Sequence, residues 1–417
     1  MVYFNCDCGK VYKIKKGFDK HIETCNKKNF KFIDLFCGIG GFHQALKKLG
    51  MTCVLACDID KHCQKVYNNN YDILPVEDVK KIIPTEIEDF DIICGGFPCQ
   101  AFSNAGKKKT FEDDRGLLFD EIIRIAKVKK PKFMFLENVK HILKVGEGKV
   151  MEYIRKKLDD NNYQLQLFEM SPHNYGIPQQ RERIYFVCVR KDIYNGKDIE
   201  LIQSKTNEIV FKDYLDKKED IDQKYFIDGE LLQCLEAWDE MIHIFDVDEK
   251  ISPTIMVNEF YKNYTEDEFK NLATWRQDYI TKNKPLYAKY KDTWDAWYER
   301  HKEVLTRREI FGKLEWQVGK IKPNDSIFNY FIQVRQSGIR VRKAEYFPTL
   351  VAISQIPIYG KEKRYITPKE CLRLQSFPED FKLLPEDRHS YKQLGNCVNV
   401  NNVSNVIEST LKMYNII

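Results

Sequence analysis

Phe32-Ile-Asp-Leu-Phe-Cys-Gly-Ile-Gly-Gly-Phe-His-Gln-Ala-Leu-Lys-Lys-Leu-Gly50 is the stretch whose reading decides the fold. It opens as an apolar strand, passes through a loop with Gly38, Gly40 and Gly41, and continues as an amphipathic helix closed by Gly50. Glycines in such a loop bring backbone amides close to a ligand at a helix N-terminus. A lone Gly-x-Gly-Gly is weak evidence. Here the next apolar run, Cys53 to Cys57, ends on Asp58 some twenty residues on, where a carboxylate can hold a pair of ribose hydroxyls. The pattern suits any nucleotide-like ligand, nicotinamide dinucleotides included.

Further along, Asp91-Ile-Ile-Cys-Gly-Gly-Phe-Pro-Cys-Gln-Ala-Phe-Ser103 reads as a buried strand from Asp91 to Cys94 that runs into a loop with one thiol at its tip. Cysteines on apolar strands are mostly core residues, and Cys94 fits that description. Cys99 does not, because Gly95, Gly96 and Pro98 shape and restrict the backbone just before it, as suits a positioned nucleophile. Phe133-Met-Phe-Leu-Glu-Asn-Val139 has four apolar residues in succession, the mark of a strand buried on both faces, with Glu137 near its C-terminal end. Ligands of open α/β sheets bind there, although a glutamate at a strand end is more often a solvated turn residue or a cap.

Taken together, Gly-Phe-Pro-Cys-Gln-Ala-Phe-Ser and Glu-Asn-Val resemble the DNA (cytosine-5)-methyltransferase family. Residues 113–118, Asp-Asp-Arg-Gly-Leu-Leu, are similar to a run found between these motifs in that family. So is the Pro-Gln-x-Arg-x-Arg pattern at 178–183, and so are the closing motifs around Leu374-Gln-Ser-Phe-Pro and Gln393-Leu-Gly-Asn-Cys-Val-Asn-Val. The likeness covers roughly 30–190 and 335–410 and is specific because separate motifs occur in order. It implies a doubly wound α/β catalytic domain on a mainly parallel sheet, of the S-adenosylmethionine-dependent methyltransferase type, with a smaller target-recognition domain inserted before the last motifs.

The resemblance also assigns roles. Cys99 would add as thiolate to carbon 6 of a cytosine rotated out of duplex DNA, and a protonated Glu137 at ring N3 would offset the developing charge. Carbon 5 would then take the methyl group. Arg181 and Arg183 are candidates for lowering the thiol pKa and lining the base pocket. Asp34, Phe36, Gly38, Ile39, Gly40 and Gly41 would surround the methionine part of S-adenosylmethionine, with Phe36 as a cation–π partner of the sulfonium. Asp58 and Ile59 would hold the ribose, Asp78 and Val79 the adenine, and Pro98, Asn396 and Val398 would complete the pocket. Gln100, Ser103, Gln179, Ser337, Arg340 and Arg342 would contact DNA.

Composition limits the alternatives. With 417 residues, 43% hydrophobic and 31% charged, the chain can bury a full core in about two domains. No apolar run approaches the ~20 residues of a membrane span, and the N-terminus lacks the apolar core of a secretory signal. Thirteen cysteines scattered through apolar elements point to a reducing compartment, so a cytoplasmic enzyme, nucleoid-associated if bacterial, is expected, and a monomeric one. The net charge of +5 is uneven: residues 1–31 hold eight Lys against three acidic residues, and 271–345 hold sixteen Lys and Arg against nine. Two basic segments on a mildly acidic body suit double-stranded DNA as partner.

The chain is expected to divide into a basic segment at 1–29, a catalytic and cofactor-binding unit at 30–190, a recognition region with a helical insert at 191–335, and, at 336–417, the end of the recognition domain and a return to the catalytic unit. In the first segment Cys6, Cys8, His21 and Cys25 have the ligand types of a small zinc finger, though one residue between the first two cysteines is fewer than usual. All five tryptophans fall in the third, where Trp294, Trp297 and neighbouring tyrosines at helical spacing read first as core. Arg307, Arg308, Lys313, Lys320 and Lys322 are the expected phosphate contacts there. Other readings remain: a transfer RNA cytosine-5 methyltransferase of the same fold, or a catalytically silent DNA-binding relative, which would be expected to lack Cys99 or Glu137.

Overall fold

The computed structural model describes residues 4–5, 11–17, 20, 30–98, 118–202, 210–251, 254–352 and 355–417. A short antiparallel hairpin, β1 (Phe4–Asn5) with β2 (Val11–Tyr12), precedes two six-stranded sheets.

The first sheet runs β4-β3-β5-β6-β8-β7, with β3 at Lys31–Leu35, β4 at Thr52–Cys57, β5 at Ile92–Gly96, β6 at Phe133–Val139, β7 at Tyr163–Met170 and β8 at Arg183–Arg190. Its first four strands are parallel, and β8 pairs antiparallel with both β6 and β7. Successive strand residues alternate between two apolar clusters. Phe32, Cys94, Phe133, Phe135 and Val187 face one side, while Ile33, Ile93, Met134, Leu136 and Phe186 face the other. A sheet covered on both faces needs near-continuous apolar strands, which is why β6 reads as it does.

Helix α1 (Gly41–Lys48) packs against the long C-terminal helix at Val400–Met413, and helices at Leu118–Lys129 and Lys149–Asp160 cover the opposite face. Because the chain leaves β3 for β4 on one side and returns to β5 on the other, the crevice between the carboxyl ends of β3 and β5 is a topological switch point.

Strand β5 is longer than the expected Asp91–Cys94. It continues through Gly95 and Gly96, which pair with Leu35 and, for both glycines, with Leu136 and Glu137 of β6. A Cβ on Gly95 would sit 2.2 Å from the Leu35 carbonyl oxygen. That glycine therefore serves the close approach of two strands, and the loop it was expected to shape begins later.

The second sheet runs β14-β13-β11-β12-β10-β9, with β9 at Thr254–Met256, β10 at Lys313–Gln317, β11 at Phe331–Arg335, β12 at Gly338–Arg342, β13 at Ile358–Tyr359 and β14 at Arg364–Tyr365. One face packs on helices at Gly229–Ile244, Thr274–Lys289 and Lys291–Arg307 around the fully buried Trp238, Trp294 and Trp297. On the other face Phe331 and Tyr359 join the core of the first sheet through Phe347. Among the described residues no helix is long and apolar enough to cross a membrane.

Candidate active site

The cofactor crevice follows from the loop after β3. Gly38 and Gly40 adopt φ of 54° and 89°, and Phe36 also has positive φ, so the loop turns within four residues into α1. A Cβ on Gly38 would meet nothing within 4 Å, whereas one on Gly40 would strike the Tyr71 ring at 2.4 Å. One side of the loop is thus open and the other is packed. Ile39 is in the core, and Gly41 lies so close to the C-terminal loop that a Cβ would be 2.5 Å from Val398.

At the end of β4 the Asp58 carboxylate accepts the Gly38 N–H on one oxygen and the Asp60 N–H on the other, both at 2.8 Å. Each oxygen keeps a lone pair for a further donor. Burial raises its pKa, against those two hydrogen bonds. Ile59, next in the chain, is 76% exposed, a large apolar side chain held out over the crevice edge. Asp78 caps a short turn by accepting from the Lys80 N–H, and Val79 is buried below it.

Asp34 behaves differently. Its side chain is fully enclosed, takes the Tyr67 hydroxyl at 3.3 Å and lies 3.6 Å from the Cys94 thiol, and burial holds its carboxyl well above the usual range. The structure puts it beneath the glycine loop, where Tyr67 in turn bonds His43 Nδ1 at 2.6 Å. His43 is itself depressed to about 3 by burial and stays neutral. Tyr67 and His43 carry no motif in the sequence; only the fold brings them under the loop.

The second half of the site lies at the carboxyl ends of β5 and β6. Register pairs Gly96 with Glu137, whose Oε2 would be 3.7 Å from a Cβ at Gly96. Glu137 is buried, and desolvation raises its pKa against the pull of Arg183 and Arg181. Arg183 Nε lies 2.9 Å from Glu137 Oε1 but out of line for a hydrogen bond, so among the described residues that oxygen has a charge partner and no donor. Asn138, also buried, donates to the Phe97 carbonyl at 2.9 Å and ties β6 to the start of the loop carrying Pro98. Cys99, Gln100 and Ser103 lie outside the described residues, as do Cys6, Cys8, His21 and Cys25. Among the described residues no group of three or more His, Cys, Asp or Glu side chains is placed to hold a metal ion.

The two arginines that share one sequence pattern have separate environments. Arg181 is buried and donates to the carbonyls of Leu350, Gly395 and Cys397 at 2.8, 3.1 and 2.8 Å. It staples the strand entry to the C-terminal segment, and burial depresses its pKa to about 9. Arg183 alone meets Glu137. Gln179 is fully buried, and among the described residues neither end of its amide has a hydrogen-bond partner. Asn396, the last residue of the helix at Asp387–Asn396, is exposed, while Val398 in the loop after it is buried between Gly41 and Gly96.

Of the remaining expected DNA contacts, Ser337 is exposed at the β11–β12 turn. Arg340 pairs with Glu315 and Arg342 donates to Gln180 Oε1 at 2.7 Å. Most of the expected phosphate contacts have partners: Arg307 meets Glu303 and Glu230, Lys313 meets Glu309, Lys320 meets Asp248, and Arg308 stacks on Phe311.

A doubly wound sheet with a glycine loop, an acidic strand end and a buried glutamate across the switch point defines a methyltransferase of the S-adenosylmethionine-dependent class. Residues 30–412 match the C-5 cytosine-specific DNA methylase family, and the chain belongs to it. It is 29% identical over 371 residues to the type II methyltransferase M.HhaI of Haemophilus parahaemolyticus, covering 89% of this chain and 91% of that protein. With M.HpaII of Haemophilus parainfluenzae the identity is 32% over 390 residues, 90% and 87% of the two chains. Among solved structures, the Entamoeba histolytica methyltransferase EhMeth aligns with a TM-score of 0.55 at 19% identity, over 93% of this chain and 99% of that one. The S. pombe Dnmt2 methyltransferase gives 0.53 at 18%, over the same shares. These two likenesses bear on the fold alone.

S-adenosylmethionine is the methyl donor of this family and fold, and the residues present fit it. The open side of Gly38 gives room for close approach to the backbone, the spare lone pairs of Asp58 can accept from ribose hydroxyls, and the exposed Ile59 offers an apolar surface.

Proposed function

We propose that this enzyme methylates carbon 5 of a cytosine rotated out of duplex DNA, through a covalent adduct between Cys99 and carbon 6, as the sequence-specific modification component of a restriction-modification system. The observation that carries this reading is the Gly96–Glu137 register pair, which sets an enclosed carboxyl with one unspent oxygen beside the strand that leads, three residues later, to Cys99. Cytosine carbon 5 is a poor nucleophile until carbon 6 accepts an electron pair. Thiolate addition forms the sulfur–carbon bond and leaves an enamine whose carbon 5 can attack an electrophilic methyl group. The bound cofactor supplies that methyl group on a sulfonium.

Glu137 contributes a proton held near ring N3. Its raised pKa favours the protonated form at the end of β6, and Arg183 limits how far that shift goes. Asn138 fixes the carbonyl of Phe97 and so steadies the approach to Cys99. Arg181 acts at a distance by locking the Gly395 and Cys397 carbonyls beside the crevice. After transfer the proton on carbon 5 leaves, the electron pair returns to the ring and the thiolate is expelled.

The second sheet and its helical lobe are proposed as the target-recognition part, running from about 191 into the C-terminal third, with the polar face of that sheet toward DNA. The test is Cys99→Ser in a labelled methyl-transfer assay with bisulfite mapping. The variant should bind cofactor and DNA as the parent does and transfer no methyl group; comparable turnover would remove Cys99 as the nucleophile.

A further inference from the structure

The polar face of the second sheet carries one row of side chains in register across four strands: Gln333 on β11, Arg340 on β12, Glu315 on β10 and Thr254 on β9. Glu315 sits at the centre of the row and is only 6% exposed. Arg340 Nε is 2.6 Å from Glu315 Oε2, and Arg335 Nη1 is 3.8 Å from the same oxygen. That Nη1 is buried and, among the described residues, has no hydrogen-bond acceptor. A carboxylate shut between two arginines is a poor device for stability, because apolar replacements of such groups are often neutral or better.

The geometry has another use. With Nε engaged, the two terminal nitrogens of the Arg340 guanidinium remain as a fork, and among the described residues neither donates to a protein acceptor. The Arg340 side chain keeps about a quarter of its surface exposed, so the fork is reachable from solvent while its base is held. The row is also joined to the catalytic site. Arg342, two residues on along the same strand face, donates to Gln180, and Arg183, three residues further on, pairs with Glu137.

We infer that Arg340 reads a guanine of the target site through its terminal nitrogens, donating to O6 and N7, and that Glu315 is the positioning residue that holds it for this. The inference rests on the reading of the chain as a DNA cytosine methyltransferase whose second sheet recognises the target. An end-on guanidinium fork matches the paired acceptors of guanine in the major groove and of no other base. Lysine keeps the charge and lacks the fork, which separates base reading from phosphate attraction.

The experiment measures methylation of a duplex pool randomised around the cytosine, with bisulfite readout, for the parent and for Arg340→Ala, Arg340→Lys and Glu315→Gln. S-adenosylmethionine binding by each variant checks that the catalytic unit is folded. The parent should demand guanine at one position. Arg340→Ala should lower kcat/KM on the preferred duplex by about ten- to a hundredfold and abolish the guanine demand at that position alone. Arg340→Lys should lose the same demand while total DNA affinity changes by no more than a few fold. Glu315→Gln should blunt the demand with DNA affinity kept or raised, since it removes a negative charge. If Arg340→Lys keeps every base preference of the parent, or if activity falls equally on all duplexes, the inference fails even where Arg340→Ala does not fold. If the parent methylates no duplex at all, it is the functional reading that fails.

Discussion

Arg181 and Arg183 are two residues apart, and their surroundings give them opposite duties. Removing the Arg181 side chain strands three backbone carbonyls, each costing roughly 1–3 kcal/mol when buried without a donor. Arg181→Ala should therefore lower unfolding free energy by at least about 3 kcal/mol in denaturant titration. Arg183→Ala should leave stability within about 1 kcal/mol, because Glu137 can take up a proton when its charge partner is gone, while turnover falls roughly a hundredfold or more. Equal stability losses would contradict this division. Asp34 adds a pH signature. Burial keeps a proton on it in the folded chain that the unfolded chain releases near pH 4, so its contribution to stability is present below that range and is lost as pH rises toward the folded-state pKa. Asp34→Asn has no such proton. Its melting temperature relative to the parent should shift in its favour as pH rises above about 4, and parallel melting curves would show that Asp34 is not protonated in the fold.

At the scale of elements, β5 shows how a glycine can be misread from sequence. Gly95 stands beside Gly96, Pro98 and a cysteine, the composition of a loop, yet it is a strand residue whose missing side chain admits the Leu35 carbonyl. Gly95→Ala should cost about 1–3 kcal/mol or more, since backbone on both strands must move, and the loss should appear in denaturant unfolding before any assay of activity. A neutral substitution would mean that β3 and β5 are less closely paired. Strand β6 was legible because its burial on both faces leaves no polar alternation to confuse it. The second sheet was not legible: its strands are short, some of two residues, too brief for alternation to show, and long helical insertions separate them.

For the molecule as a whole, the crevice at the switch point joins β3, β4, β5 and the C-terminal loop, so a ligand there should stabilise all of them together. S-adenosylmethionine at a hundred times its dissociation constant should add about 2.7 kcal/mol to unfolding. Asp58→Ala removes the acceptor that aligns Gly38 and should abolish most of that gain in thermal melts, with little change in the ligand-free transition. An undiminished shift in the variant would move the ribose site elsewhere. Val398, wedged between Gly41 and Gly96 although more than three hundred residues away from them in the chain, shows why the last segment belongs to this unit.

The order of residues alone determined the class of fold, the glycine loop, the acidic end of β4 and the glutamate near the end of β6, because each depends on local backbone needs or on a short motif. Tertiary structure decided what proximity decides. It enclosed Asp34 with Tyr67 and His43, set Arg181 on three distant carbonyls, left Arg183 to face Glu137, and placed Glu315 against Arg340 across two strands. Burial and partners fix what a charged side chain can do, and neither is written in the spacing of residues along a chain.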